Sequence, residues 1–265
     1  MDMLITIIIA TVFITIVGLL VGLFLGFSAI KLEVPVDERE VKVREVLPGA
    51  NCGACGYPGC DGLAHAIAIG DADVNACPVG GESCTKKIAA IMGQSSDFVK
   101  MVAFVNCGGD CNKSRQKFEY TGIRDCNSAT VVPGSTPKMC NYGCMGFGSC
   151  VKACEYDAIH IVDGIAVVDK EKCVACKACV KACPKKLIEI IPYSAKQKVK
   201  CISKDKGKLV KLACDVGCIA CKKCEKVCED DAVHVVDSIA KIDYTKCISC
   251  GKCANACPQG TITKF

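Results

Sequence analysis

Three hydrophobic patterns run along this chain. Residues 4–30, LITIIIATVFITIVGLLVGLFLGFSAI, are continuously apolar and carry no charge. At 1.5 Å per residue such a helix exceeds the roughly 20 residues needed to cross a bilayer, so the run predicts a transmembrane helix. A secretory signal fits less well, because the leading residues lack Lys and Arg, the run is too long and no small-residue cleavage site closes it. A shorter helical stretch, DGLAHAIAIG, follows at residues 61–70. Two alternating stretches, AIHIVDGIAVVD at 158–169 and AVHVVDSIAKID at 232–243, have Asp-Gly or Asp-Ser at their middle and predict β-hairpins.

The hairpins belong to a duplication. Residues 140–184 align without a gap on residues 214–258, at an offset of 74. Each copy reads as a cysteine run, a hairpin, and a second cysteine run ending in Cys-Pro.

Composition changes what can hold such elements together. Of 265 residues 26 are cysteine, against three His, six Tyr, eight Phe and no Trp, too little aromatic bulk for a large carbon-packed core. Lys31, Arg39, Lys42 and Arg44 follow the apolar run and no Lys or Arg precedes it, which predicts a single-pass protein of the cytoplasmic (inner) membrane with its C-terminal domains in the cytoplasm. The acids Glu33, Asp37, Glu38 and Glu40 hardly count in this rule. A reducing compartment favours metal ligation over disulfides. Gly18, Gly22 and Gly26 share one helix face, where a partner helix could come close.

The cysteine spacings then specify the metal chemistry. Cys52, Cys55, Cys60 and Cys77 form one group, three in a glycine-rich loop and the fourth after a helical stretch. They read as one cluster site, with a four-cysteine zinc knot as the alternative. Cys173, Cys176, Cys179, Cys183-Pro184 and Cys247, Cys250, Cys253, Cys257-Pro258 both have the bacterial ferredoxin spacing C-x2-C-x2-C-x3-C-P, in which three thiolates hold one cubane and the fourth crosses to another. A zinc ribbon leaves the third Cys and the Cys-Pro unexplained. The crossed pattern pairs Cys218, Cys221, Cys224 with Cys257, pairs Cys247, Cys250, Cys253 with Cys228, and pairs Cys173, Cys176, Cys179 with Cys154. The remaining site is irregular, since Phe147 aligns with Cys221. Cys140 is the nearest substitute, so Cys140, Cys144, Cys150 and Cys183 are assigned to it, with a three-iron cluster as the fallback.

Cys84, Cys107, Cys111, Cys126, Cys201 and Cys214 are left over. They read equally as reduced thiols or, in part, as a sixth cluster from Cys107, Cys111 and Cys126 with Cys84. Cys214, Cys218 and Cys221 also match the radical-SAM spacing, but sit inside a ferredoxin run with too few residues after them for that chemistry's barrel. The loop GCMGFG at 143–148 mimics a nucleotide-binding loop without opening a long helix after a strand, so no NAD or flavin site is expected in this chain. His65, His160 and His234 read as structural. The linker at 195–214 carries seven Lys and reads as a solvated connector or an attractor of an acidic electron carrier.

These readings combine into an α+β chain. It comprises a single N-terminal transmembrane helix and anchor (residues 1–31), a small helical 4Fe-4S domain (32–95), a cysteine-containing connector (96–138) and two tandem bacterial ferredoxin-like 2[4Fe-4S] modules (139–194 and 195–265). At least five [4Fe-4S] clusters follow. The formal charge of +5 counts every thiol as neutral. Five clusters at about −2 each move it to roughly −5, which removes the nucleic-acid partner that net basicity would suggest.

The order of a membrane helix, then PGANCGACGYPGC with Cys77-Pro78, then YTGIRDC, KMCNYGCMGFGSCVKAC and the ferredoxin runs resembles the B-subunit family of Rnf complexes. The resemblance implies an ion-translocating ferredoxin:NAD oxidoreductase, coupled to Na+ or H+ movement. In it this subunit takes electrons from soluble reduced ferredoxin and passes them to membrane subunits, with the NAD site on another subunit. The duplicated module departs from the shorter family members. The alternative is the anchored iron–sulfur subunit of a membrane dehydrogenase or hydrogenase, which the PGANCGACGYPGC domain disfavours.

Overall fold

The computed structural model describes residues 2–31, 37–95, 98–131, 134 and 136–264. Helix α1 (Asp2–Lys31) contains Ile7–Ser28, 22 residues at a mean hydropathy of 2.9 with none of the span buried, long and apolar enough to cross a membrane. Thr11 and Thr15 donate their hydroxyls to the carbonyls of Ile7 and Thr11, so both hydroxyls are satisfied within the helix. Glu33 and the boundaries expected at 31/32 and 95/96 lie outside the described residues or at their edge.

Helices α2 (Glu38–Val46), α3 (Gly59–Ala68) and α4 (Gly81–Met92) pack around Val43, Leu63, Ile67 and Ile88, each at most 1% exposed. The Asp37 carboxylate caps α2 by accepting the Arg39 N–H at 2.8 Å. Cys60 and Cys77 are built into this small core. Gly59 has φ +87, and a Cβ there would come within 3.0 Å of Asn51 Oδ1, the atom that accepts the Cys60 N–H at 2.8 Å.

The rest of the chain alternates very short helices with paired strands. In order these are β1 (Met101–Val105), α5 (Cys126–Thr130), α6 (Ser149–Lys152), β2 (Ile159–Val162), β3 (Ile165–Val168), α7 (Ala178–Ala182) and β4 (Ile188–Pro192). Then come β5 (Gln197–Val199), α8 (Gly207–Ala213), α9 (Lys223–Lys226), β6 (Val233–Val236), β7 (Ile239–Ile242), α10 (Lys252–Asn255) and β8 (Ile262–Lys264). The predicted hairpins are β2–β3 and β6–β7, paired from Val162–Ile165 and Val236–Ile239 outward. Their two-residue turns place Asp163, Gly164, Asp237 and Ser238 at positive φ, as the right-handed twist of a tight hairpin demands.

Two further antiparallel pairs, β1 with β4 and β5 with β8, were not signalled by the hydrophobic pattern. Val105 lies opposite Ile188, and Val199 opposite Ile262, so the duplication extends to these strands as well. A lone hairpin is marginal in water, and the added strands cover it. Strand β1 supplies Val102 and Phe104 to the core of the first module.

The connector of residues 96–138 is therefore woven into the fold where it is described. The Lys-rich linker likewise forms β5 and α8. Its Lys198 is fully buried over the Phe104 ring, 4.9 Å from the centroid, and burial pushes its amine down to about 7. The two modules are tied backbone to backbone: Gly108 N–H donates to Lys200 O at 2.9 Å, Arg115 N–H to Ala213 O at 3.0 Å, and Asp215 N–H to Lys113 O at 2.9 Å.

Candidate iron–sulfur sites

Four loops share one backbone conformation. In Cys173–Cys179, Cys218–Cys224 and Cys247–Cys253 the second and fourth residues after the first cysteine have positive φ: Ala175 and Lys177, Ala220 and Lys222, Ser249 and Gly251. The irregular loop Cys144–Cys150 does the same at Gly146 and Gly148. Such alternation turns successive N–H groups inward as a concave nest that suits an anion, and non-glycine residues adopt it at a cost. A cluster ligated by four thiolates is such an anion.

The loops gather cysteines in fours. Cys154, Cys173, Cys176 and Cys179 line one cavity, and Cys218, Cys221, Cys224 and Cys257 line another. Cys253 is within electrostatic reach of Cys247, Cys250 and Cys228, and Cys77 of Cys55 and Cys60. Cys52 is exposed and acts on Tyr156 and Cys176, so the helical domain abuts the first module there.

Cys140 is not placed with the irregular site. The cavity holding Cys144, Cys150 and Cys183 is completed by Cys126 from α5. Burial first, then Cys144, Cys183 and Cys126, push the Cys150 thiol up to about 12. Phe147 keeps the loop conformation but stacks on Tyr120, centroids 4.9 Å apart, leaving its corner to Cys126. Cys140 instead lines a fourth cavity with Cys107, Cys201 and Cys214. The duplication carried the signal for this. Cys140 aligns with Cys214, and Cys214 is no part of the second module's own two sets.

Of the remaining leftover thiols, Cys84 is buried in the helical domain, where it donates to Val46 O at 3.5 Å, and Cys111 is exposed. The radical-SAM triplet is split, Cys214 facing one cavity and Cys218 and Cys221 another. The histidines each meet a carboxylate, His65 with Glu40 at 2.9 Å, and His160 and His234 with Asp157 and Asp231.

The donor sets fit cubane clusters better than single ions. Four thiolates on zinc, each at about 2.3 Å, would lie about 4 Å apart. Among the described residues no group of His, Cys, Asp or Glu is gathered to hold one metal ion. Backbone N–H groups point at ligand sulfurs throughout: Ala103 at Cys173 (3.4 Å), Ala166 at Cys144 (3.4 Å), Leu187 at Cys183 (3.5 Å) and Ala232 at Cys228 (3.3 Å). Such bonds stabilise the anionic, reduced form and raise potentials. Burial alone would raise the Cys257 thiol, but the N–H groups of Ile262, Gln259 and Thr261 and the Thr261 hydroxyl hold it below its ordinary value.

Repeated four-cysteine cavities in ferredoxin-type loops, beside a helix able to cross a membrane, define an iron–sulfur electron-transfer protein. Residues 47–79 match the family described as putative Fe-S cluster, and residues 166–189 and 240–263 match the 4Fe-4S binding domain. The chain is 45% identical over 248 residues to the B subunit of the Na(+)-translocating ferredoxin:NAD(+) oxidoreductase complex of Acetobacterium woodii, covering 93% of this chain and 74% of that protein. It is 39% identical over 262 residues to the B subunit of the proton-translocating ferredoxin:NAD(+) oxidoreductase complex of Clostridium ljungdahlii, covering 97% and 92%. With the B subunit of the ion-translocating oxidoreductase complex of Methanosarcina acetivorans the identity is 40% over 247 residues, covering 92% and 93%. The chain belongs to this family of Rnf complex B subunits and is an iron–sulfur electron-transfer component of the complex, associated with the membrane.

Proposed function

We propose that this subunit accepts electrons from reduced soluble ferredoxin on the cytoplasmic side of the membrane and relays them to the membrane and NAD-linked subunits of the complex. The observation that carries the reading is that the thiolate sets of the helical domain and of the first module abut one another. Cys52 acts on Cys176, and Cys179 on Cys150, across neighbouring sets. Each [4Fe-4S] group supplies one-electron carriage when bound. The chain's own residues set its place, its burial and the N–H groups around it.

The ligand sets that the geometry favours are Cys52, Cys55, Cys60 and Cys77; Cys154, Cys173, Cys176 and Cys179; Cys126, Cys144, Cys150 and Cys183; Cys218, Cys221, Cys224 and Cys257; and Cys228, Cys247, Cys250 and Cys253. The domain scheme that accompanies them keeps residues 1–31 as anchor and 32–95 as helical domain, and treats 98–264 as two interlocked modules. For ferredoxin, helix α8 offers Lys206, Lys208 and Lys211 around Leu209 and Leu212, each of the two leucines 54% exposed. A cation-rimmed apolar patch suits an acidic protein. The glycines at 18, 22 and 26 have nothing within 4 Å of a would-be Cβ, an open face for a partner subunit's helix. Orientation follows from Lys31, Arg39, Lys42 and Arg44 beyond the helix.

The test is to add reduced ferredoxin to the anaerobically purified full chain in detergent. The visible cluster absorbance should bleach, and a failure to exchange electrons with ferredoxin would remove the entrance role. A colourless protein with stoichiometric zinc would remove the cluster reading altogether.

A further inference from the structure

Four cysteines that no spacing motif links meet at the seam between the two modules. Cys107 follows β1 and Cys201 follows β5, each two residues beyond the valine that closes the strand pairing, Val105 or Val199. Cys140 and Cys214 are equivalent by the offset of 74. Each module therefore contributes the same pair of positions, and all four residues line one cavity. Four free thiols, two of them buried and two half-buried, converge on this one lining as they do at the ferredoxin-type sets, and soft thiolates gathered in this way suit iron in a sulfide cluster.

The surroundings are arranged as at the other sets. The Cys144 N–H points at Cys107 Sγ at 3.4 Å, and the Ser203 N–H at Cys201 Sγ at 3.4 Å. Gly109 lets the backbone pass, since a Cβ there would come within 3.0 Å of Cys214 Sγ. Lys138 reaches in beside the cavity, its Nζ donating to Gly109 O at 2.7 Å and Gly164 O at 3.2 Å, which places a buried cation next to the thiolates. The three backbone bonds between the modules, from Gly108, Arg115 and Asp215, run around this same site.

We infer that Cys107, Cys140, Cys201 and Cys214 ligate a further [4Fe-4S] cluster that joins the two modules into one relay. The inference rests on the proposed cluster sets of the modules. On ligation four thiols lose four protons and form four iron–thiolate bonds to a core of charge +2, and on relay that core takes one electron from a reduced neighbour, which is itself oxidised by one. The site sits between the cysteine sets of the two modules. On one side Cys107 Sγ accepts the backbone N–H of Cys144 of the first module, and on the other Cys201 Sγ accepts the backbone N–H of Cys218 of the second. Of the six cysteines outside the spacing motifs only Cys84 and Cys111 are then without a set.

Native mass spectrometry and iron analysis of the full chain, purified anaerobically in detergent, test this. Six cubanes and about 24 iron atoms per chain are expected, falling by about four irons and four sulfides in a Cys201→Ala/Cys214→Ala double variant. A Cys84→Ala/Cys111→Ala variant should keep all of its iron. Five cubanes in the unmutated chain, or an unmutated count that the seam variant does not lower, would overturn the seam cluster while leaving the other five. Because the count is made first on the unmutated chain, a seam variant that fails to fold does not obscure it. One zinc with about 20 irons would overturn it too, whereas absence of iron altogether would overturn the broader cluster reading.

Discussion

The backbone N–H of Cys126 donates to the hydroxyl of Ser149 at 2.8 Å, and that hydroxyl donates onward to the Asp125 carboxylate at 2.7 Å. The Asp125 carboxylate also accepts the Ser128 N–H and caps α5. This small network is what carries Cys126 into the site of a loop that begins 18 residues later and has lost its own middle cysteine. Ser149→Ala should cost about 1 kcal/mol, the usual worth of such a bond, and loosen the Cys126 corner. Electron paramagnetic resonance after mild oxidation should then show a [3Fe-4S] signal absent from the unmutated protein.

The same geometry exchanges the roles that the sequence pattern gives Cys126 and Cys140. Cys126→Ala should yield a three-iron cluster in the first module, whereas Cys140→Ala should leave that site's spectrum unchanged. The reverse result would restore Cys140 as the module's ligand.

Gly146 has φ +75, and a Cβ there would lie 2.6 Å from the Gly164 carbonyl oxygen. Gly146→Ala therefore strains the loop and pushes it off the β2–β3 turn, with a cost of about 1–3 kcal/mol. The rate of iron release to a chelator from the first module should rise accordingly, with the second module unaffected.

Iron removal should undo more than colour. The described cores of both modules count cysteines among their buried residues, Cys144, Cys150 and Cys179 in one and Cys218, Cys224 and Cys253 in the other. Stripping the clusters should melt the four two-stranded pairs, seen as lost circular dichroism, and anaerobic reconstitution with iron and sulfide should restore it.

Reversing charge at Lys208 and Lys211, both exposed on α8, should slow bleaching by reduced ferredoxin several-fold at low ionic strength. The difference should shrink as salt is added, because exposed charges are screened beyond about 10 Å at 0.1 M. An unchanged rate at low salt would place ferredoxin elsewhere on the chain.

By itself the sequence determined whatever is local. A run of 27 uncharged residues reads as a helix able to cross a membrane, Asp163-Gly164 and Asp237-Ser238 read as hairpin turns, and C-x2-C-x2-C reads as a ferredoxin loop. Each depends only on neighbours in the chain. Tertiary structure decided which thiol reaches which cavity when the loop does not dictate it. Cys126 arrives on α5 through Ser149, and Cys140 is drawn away to the seam, because β1 and β5 pair with strands far along the chain and carry Cys107 and Cys201 to it. Spacing along the chain cannot encode that meeting, since it is fixed by the pairing of strands and by bonds such as Gly108 N–H to Lys200 O, whose partners lie far apart in sequence.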